Sequence, residues 1–220
     1  MQPSDLIADR LRPQILWRKE QLFQEKFKPF IEGKHILEIA PNHCLFTEKM
    51  LELGAKNISL VENNEKVFQL IESYFKNISE IKSYNKDIHF LLSELPKEFD
   101  TVICAGFLYH SPHQLWILEG IANLNPQYIL IDTACSQTSQ ITVTPEINNE
   151  PGYRQVEDKS SGVALRLPPE MYFSIMSKLG YKAIAQVNQA SPSSVANLTE
   201  EQQSILLGWN KTFSYWFERI

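Results

Sequence analysis

Two acidic residues stand where an acid needs explaining. Glu38 lies inside HILEIA, residues 35–40, an otherwise apolar run. An unpaired carboxylate among apolar neighbours is costly, so Glu38 needs a partner or a task. Glu62 comes 24 residues later and closes a second apolar run, NISLVE. An acid at the end of the second strand of a strand–helix–strand unit is where two ribose hydroxyls are chelated, because its two oxygens match a vicinal diol. The same position also suits a solvated turn residue. After the longest apolar stretch, FDTVICAGFLY, comes His110. Its imidazole titrates near neutrality, which fits it to take a proton from an acceptor, with Tyr109 and His113 as weaker candidates. The competing role for His110 is a structural one at the start of the next helix. Arg154 and Arg166 have the forked guanidinium that grips a carboxylate or phosphate, and Tyr153 adjoins Arg154; all three also read as surface residues. His43 reads as a surface residue, and Cys44 and Cys104 as packing residues without an evident basic partner. Trp209, Tyr215 and Trp216 stack on a flat substrate or, as the alternation favours, fill a core.

The elements that must position these residues keep a repeating rhythm. Short apolar runs at 35–40, 57–62, 81–84, 99–109 and 128–132 read as strands. Helical spacing covers 45–53, which stops at Gly54, and 64–75. A third helix spans 111–124, opened by Ser111 with Pro112 in its first turn. Residues 87–92 read as a continuation of the third strand or the loop after it. Near-continuous apolar strands alternating with such helices define a parallel sheet covered on both faces. Ligands of open sheets of this kind bind beyond the carboxyl ends of the strands, near the switch in strand order. The first thirty residues read as helix broken at Pro13, with a second amphipathic piece over 17–31 that caps a sheet edge or a cofactor mouth. The second half is less regular. Residues 136–161 form a polar loop long enough to expect a function. After it come a short strand at 162–167, a helix at 169–179 and a strand at 181–187. Thr199 and Gln202 form a capping box opening a helix to about Trp209, and 212–217 alternates as a last strand.

Composition sets the outer bounds. With 220 residues, 43% of them hydrophobic, the chain has enough apolar content for one core and argues for one domain over 1–220: a helical cap (1–33), a cofactor-binding core (34–135) and a substrate-side loop with sheet completion (136–220). A net charge of −5 gives no bulk attraction for nucleic acid or an anionic membrane, though a local basic channel is compatible with it. Three cysteines without short spacing argue against a disulfide framework and a zinc cluster, so no metal is expected and a reducing, cytoplasmic setting fits. The first residues lack a signal-peptide pattern, and no apolar run approaches the roughly 20 residues that span a bilayer.

In order and spacing these segments resemble the class I S-adenosylmethionine-dependent methyltransferases over residues 30–135, and more loosely to the end. Their first motif, an acid followed by x-G-x-G-x-G, falls on Glu38, Ala40, Asn42 and Cys44, with all three glycines replaced. Asn is the best non-glycine tenant of a left-handed position, Ala the smallest, and Cys small without backbone freedom. PNHCLFT is similar to the local pattern of the group that carboxymethylates the tRNA wobble uridine. The resemblance implies that Glu62 binds the ribose, Asn63 and Asp87-Ile88 the adenine, and Ala105, Gly106 and Phe107 the methionine end. Phe99-Asp100-Thr101-Val102 is like the fourth motif and Tyr109-His110-Ser111 like the signature after it. The resemblance also implies a doubly wound α/β fold with a mostly parallel seven-stranded sheet, a final antiparallel strand and an N-terminal helical cap. The implied cofactor is S-adenosyl-L-methionine. The implied activity is methyl transfer to a small molecule or to an RNA nucleophile. The rival readings are a degenerate fold that binds without catalysis, if the missing glycines close the site, and a dinucleotide oxidoreductase. The last is disfavoured because a pyrophosphate wants more glycine amides than this loop supplies.

Overall fold

Strand positions alternate between two apolar faces, and this alternation builds the layers. The computed structural model describes residues 12–145, 163–187 and 212–220. Strands β1 (His35–Ile39), β2 (Asn57–Glu62), β3 (Ile81–Asn85), β4 (Thr101–Ala105) and β5 (Tyr128–Ala134) run parallel. The hairpin strands β6 (Thr142–Pro145) and β7 (Val163–Arg166) form a separate two-stranded sheet. Strands β8 (Tyr181–Gln186) and β9 (Thr212–Arg219) complete the main sheet, whose order is β3-β2-β1-β4-β5-β9-β8. Strand β9 lies antiparallel between β5 and β8. The order reverses between β1 and β4, and in sheets of this kind the ligand crevice lies beyond the carboxyl ends at that reversal.

Ile36, Ile58, Leu60, Ile103, Leu130 and Trp216 face one side of the sheet. They are covered by α1 (Arg12–Leu22), a 3-10 segment at Glu25–Phe30, α2 (Leu45–Glu52) and α3 (Glu65–Phe75). Leu37, Ile39, Val102, Ile129 and Ile131 face the other side, under α4 (Ile88–Leu91), α5 (Gln114–Asn123) and α6 (Pro169–Lys178). Fully burying one such side chain contributes about 1.5–3 kcal/mol, which is why every central strand is apolar almost throughout. The 3-10 segment lays Phe27 and Phe30 on Trp216, with ring centroids 5.8 and 5.0 Å apart, and Phe30 on Tyr128 at 4.6 Å. Trp216 is therefore a core residue, and the half-buried Tyr215 packs edge-on against Phe173.

Helix α1 is described from Arg12 on, with Pro13 next in it; the residues that a break at Pro13 would separate from it lie outside the described residues. Several elements depart from the sequence expectation for identifiable reasons. The strand expected over 99–109 stops at Ala105, because Gly106 turns to φ +82° and Leu108–His110 winds into a 3-10 turn. Helix α5 starts at Gln114, not Ser111; the Ser111 hydroxyl instead accepts the His113 amide at 3.0 Å. Residues 88–91 are one helical turn capped by the Asp87 carboxylate, which accepts the His89 amide at 2.9 Å. Part of the expected polar loop is strand β6. The capping-box helix at 199–209, Trp209, Tyr153 and Arg154 lie outside the described residues. No helix among the described residues is long and apolar enough to cross a membrane.

Candidate cofactor and acceptor site

The loop joining β1 to α2 keeps a backbone that its sequence does not favour. Ala40, Asn42 and Cys44 have φ of +53°, +48° and +56°, three left-handed residues at alternate positions. A residue with a Cβ pays about 1–2 kcal/mol there. The loop is pinned by the Ala40 amide donating to the Val61 carbonyl and the Cys44 amide to the Pro41 carbonyl, both at 2.9 Å. Cys44 is the N-cap of α2 and is buried, which pushes its thiol well up; Cys104 behaves likewise, as packing residues should. His43 is half-buried rather than superficial, and burial lowers its imidazole below the ordinary value.

Both acids have partners. Glu38 is 2% exposed and accepts the Thr47 hydroxyl from α2 at 2.6 Å. Burial outweighs that bond and pushes its carboxyl up to about 7. Its task is to tie α2 onto β1 beneath the loop. Glu62 is 6% exposed and accepts the Asn64 amide at 2.9 Å, with the Asn42 and Asn63 amides on the same carboxylate. Burial raises its carboxyl, and the three amides oppose that. Glu62 thus bolts the loop after β1 to the tip of β2. A carboxylate has about four acceptor sites, so three amide donors leave room for a hydroxyl. Asn63 is half-buried, and Asn64 caps α3 by accepting the Lys66 and Val67 amides.

On the other side of the crevice, β4 delivers Ala105, Gly106 and Phe107, all half-buried. The Gly106 amide donates to the Asp132 carbonyl at 2.7 Å. A Cβ at Gly106 would lie 3.4 Å from an Arg18 Nη, so the guanidinium lies directly over this glycine. Arg18, from α1, is 9% exposed and forms an ion pair with Asp132, itself 2% exposed at the tip of β5. The Ser214 hydroxyl of β9 donates to the same carboxylate. Arg18 also sits 5.5 Å from the Phe46 ring. Sequence reasoning misses both Arg18 and Asp132. YILID carries a usable signal, an acid near the end of an apolar run as in NISLVE; Arg18 carries none, being one basic residue of an amphipathic helix.

The remaining candidates gather at the ends of β3 and β4. Asp87 caps α4 and binds the His89 ring through Nδ1 at 2.6 Å, and Ile88 is buried in the core. Tyr109 and His110 lie in the 3-10 turn, half-buried, their rings 4.0 Å apart. Strand β7 of the β6–β7 pair packs against this turn, and its Leu165 carbonyl accepts from Gln114 at the start of α5, whose side chain in turn accepts the Tyr172 hydroxyl of α6 at 2.6 Å. Arg166, half-buried in β7, lies near Cys135 and lowers its thiol, against the larger upward effect of burial. No group of three or more potential metal ligands occurs among the described residues.

The seven-stranded, mostly parallel sheet with an antiparallel β9 and helices on both faces is the Rossmann-like fold of the class I S-adenosylmethionine-dependent methyltransferases. Solved structures with this fold superpose along nearly the whole chain. The N-terminal domain of EvdMO1 with SAH bound matches with a TM-score of 0.63 at 17% identity, over 100% of this chain and 81% of that one. An S-adenosylmethionine-dependent methyltransferase from Mesorhizobium loti gives 0.64 at 10% identity, over 87% and 93%. Magnesium protoporphyrin IX methyltransferase from Synechocystis, with SAM bound, gives 0.61 at 12%, over 97% and 86%. By sequence, the tRNA U34 carboxymethyltransferase of Nautilia profundicola is 31% identical over 113 residues, which are 48% of this chain and 37% of that protein. The chain thus spans about a third of that relative's length. No family model matches it.

Proposed function

We propose that the chain binds S-adenosyl-L-methionine across the tips of β1, β2 and β4 and transfers its methyl group to a nucleophile held at the 108–110 turn. The observation that carries this is the loop after β1. It keeps left-handed backbone at all three positions where its fold relatives' motif has glycine, without a glycine in any of them. Glu62, poised on three amides, takes a ribose hydroxyl with its remaining acceptor site. Asn63 and Ile88 flank the adenine and Asp87 meets its edge. Ala105, Gly106 and Phe107 line the methionine end. The bound sulfonium supplies an activated methyl, so the protein's contribution is alignment for an in-line displacement, which can be worth effective molarities of about 10⁵–10⁸ M. His110, beside Tyr109, removes the acceptor's proton where one must leave. Arg166, with Tyr153 and Arg154, serves the acceptor side.

The test is titration with S-adenosylmethionine and S-adenosylhomocysteine. A ligand at 100 times its dissociation constant raises apparent stability by about 2.7 kcal/mol. Glu62→Ala should weaken binding by about 1.5–3 kcal/mol, the worth of a hydrogen bond to a charged group. No thermal shift and no binding heat in the wild type would leave a methyltransferase fold without its cofactor. For the acceptor, a net charge of −5 favours a small molecule, while the sequence similarity to a tRNA-modifying enzyme favours RNA. Label transfer from S-adenosylmethionine to bulk tRNA, compared with transfer to a small-molecule fraction, decides between them.

A further inference from the structure

The loops after β3 and β4 are joined by a chain of polar groups in which each has a partner. Asp87 Oδ1 lies 2.6 Å from His89 Nδ1, and His89 Nε2 lies 3.0 Å from the Ser111 hydroxyl. An ionised carboxylate only accepts, so Nδ1 carries a proton; in the neutral imidazole Nε2 then accepts and Ser111 donates to it. The Ser111 oxygen in turn accepts the His113 amide at 3.0 Å. The imidazole is fixed sideways as well. It stacks on Trp116 with planes 10° apart and meets the His113 ring edge-on. The connectivity is that of an activated hydroxyl, but Ser111 is only 3% exposed and its oxygen already serves two neighbours, so it is not placed to attack anything. What Ser111 does hold is the turn before it: its amide donates to the Leu108 carbonyl at 2.9 Å, as the His110 amide does to Phe107.

We propose that His89 is a positioning residue that locks the turn carrying Tyr109 and His110 to the loop headed by Asp87, so that cofactor binding and order on the acceptor side are set together. The proposal rests on the reading of the crevice as an S-adenosylmethionine site. It is tested on the full chain with S-adenosylhomocysteine as probe, by calorimetry and by amide exchange across residues 109–113. In the wild type the probe should slow exchange there. His89→Phe keeps the ring and the stack on Trp116 but removes both polar atoms; it should abolish that response and weaken the probe by about tenfold, a typical coupling between sites. His89→Gln, which offers Ser111 an acceptor, should restore the protection, and His89→Asn, which reaches only Asp87, should not. If His89→Phe keeps the affinity and the protection, the residue is mere filling and the proposal falls. A proton found on Nε2 rather than Nδ1 by nitrogen NMR overturns it as well. Should the wild type not bind the probe, the cofactor reading fails by itself, and the lock is judged by ligand-free exchange: faster in His89→Phe than in His89→Gln supports it, equal rates refute it.

Discussion

Ala40 holds a left-handed backbone at the mouth of β1. A β-branched side chain is a genuine outlier in that region, whereas glycine enters it freely. Ala40→Gly should therefore fold within about 1 kcal/mol of the wild type, and Ala40→Val should lose more than about 2 kcal/mol. An ordinary half-buried strand end would give the opposite order, so urea unfolding of the two variants reports the loop's conformation directly. Glu38 makes a second prediction at this scale. Its carboxyl stands near 7 when folded against an ordinary value of 4.5. Below pH 4.5 both states are protonated and nothing is lost. Between 4.5 and 7 the unfolded chain releases the proton that the folded chain keeps, so stability falls as pH rises, by at most about 3 kcal/mol, and then levels off. Glu38→Gln retains an acceptor for Thr47 and should flatten that slope in stability measured from about pH 4 to 8.

At the scale of elements, the Arg18–Asp132 ion pair and a face of apolar side chains fasten α1 beside Gly106. Arg18 reaches Asp132 across 114 residues of sequence, with Ser214 on the same carboxylate. Removing one partner of a buried pair leaves the other charge stranded and costs about 3–5 kcal/mol, against less than about 1 for an exposed pair. Arg18→Met should fall in the first range by chemical denaturation, and adding Asp132→Asn should recover a large part of the loss. The same pair roofs Gly106, so it links the position of α1 to the shape of the expected methionine end. Short elements are held the same way, by single polar groups: α4 exists because Asp87 caps it, and the 108–110 turn is held by Ser111.

For the whole molecule the decisive feature is where the last strand goes. Strand β9 pairs with β5 along its length and with β8 on its other edge, so the final residues hold the sheet's far side together. It also places Phe213 and Phe217 in one core layer and Trp216 in the other. A chain ending at residue 211 would strand β8 and expose both layers. It should retain helical signal but lose the near-ultraviolet circular dichroism of fixed aromatic packing. Trp216→Ala, at about 3–5 kcal/mol, is the milder version of the same loss.

The amino-acid sequence by itself determined the alternation of strand and helix, the two faces of each buried strand and the acids at positions 38 and 62, because periodicity and an acid in an apolar run are local facts. It also located the loop after β1, and the asparagine there was a chemical hint of left-handed backbone at one of three positions. That Ala40 and Cys44 share that backbone was decided only when the Val61 carbonyl and the Glu62 carboxylate closed over the loop. The Arg18–Asp132 pair, the His89 link from Asp87 to Ser111 and the first strand of the hairpin were likewise tertiary decisions. Each joins residues separated along the chain, and no local pattern records a partner that arrives only when the sheet has assembled.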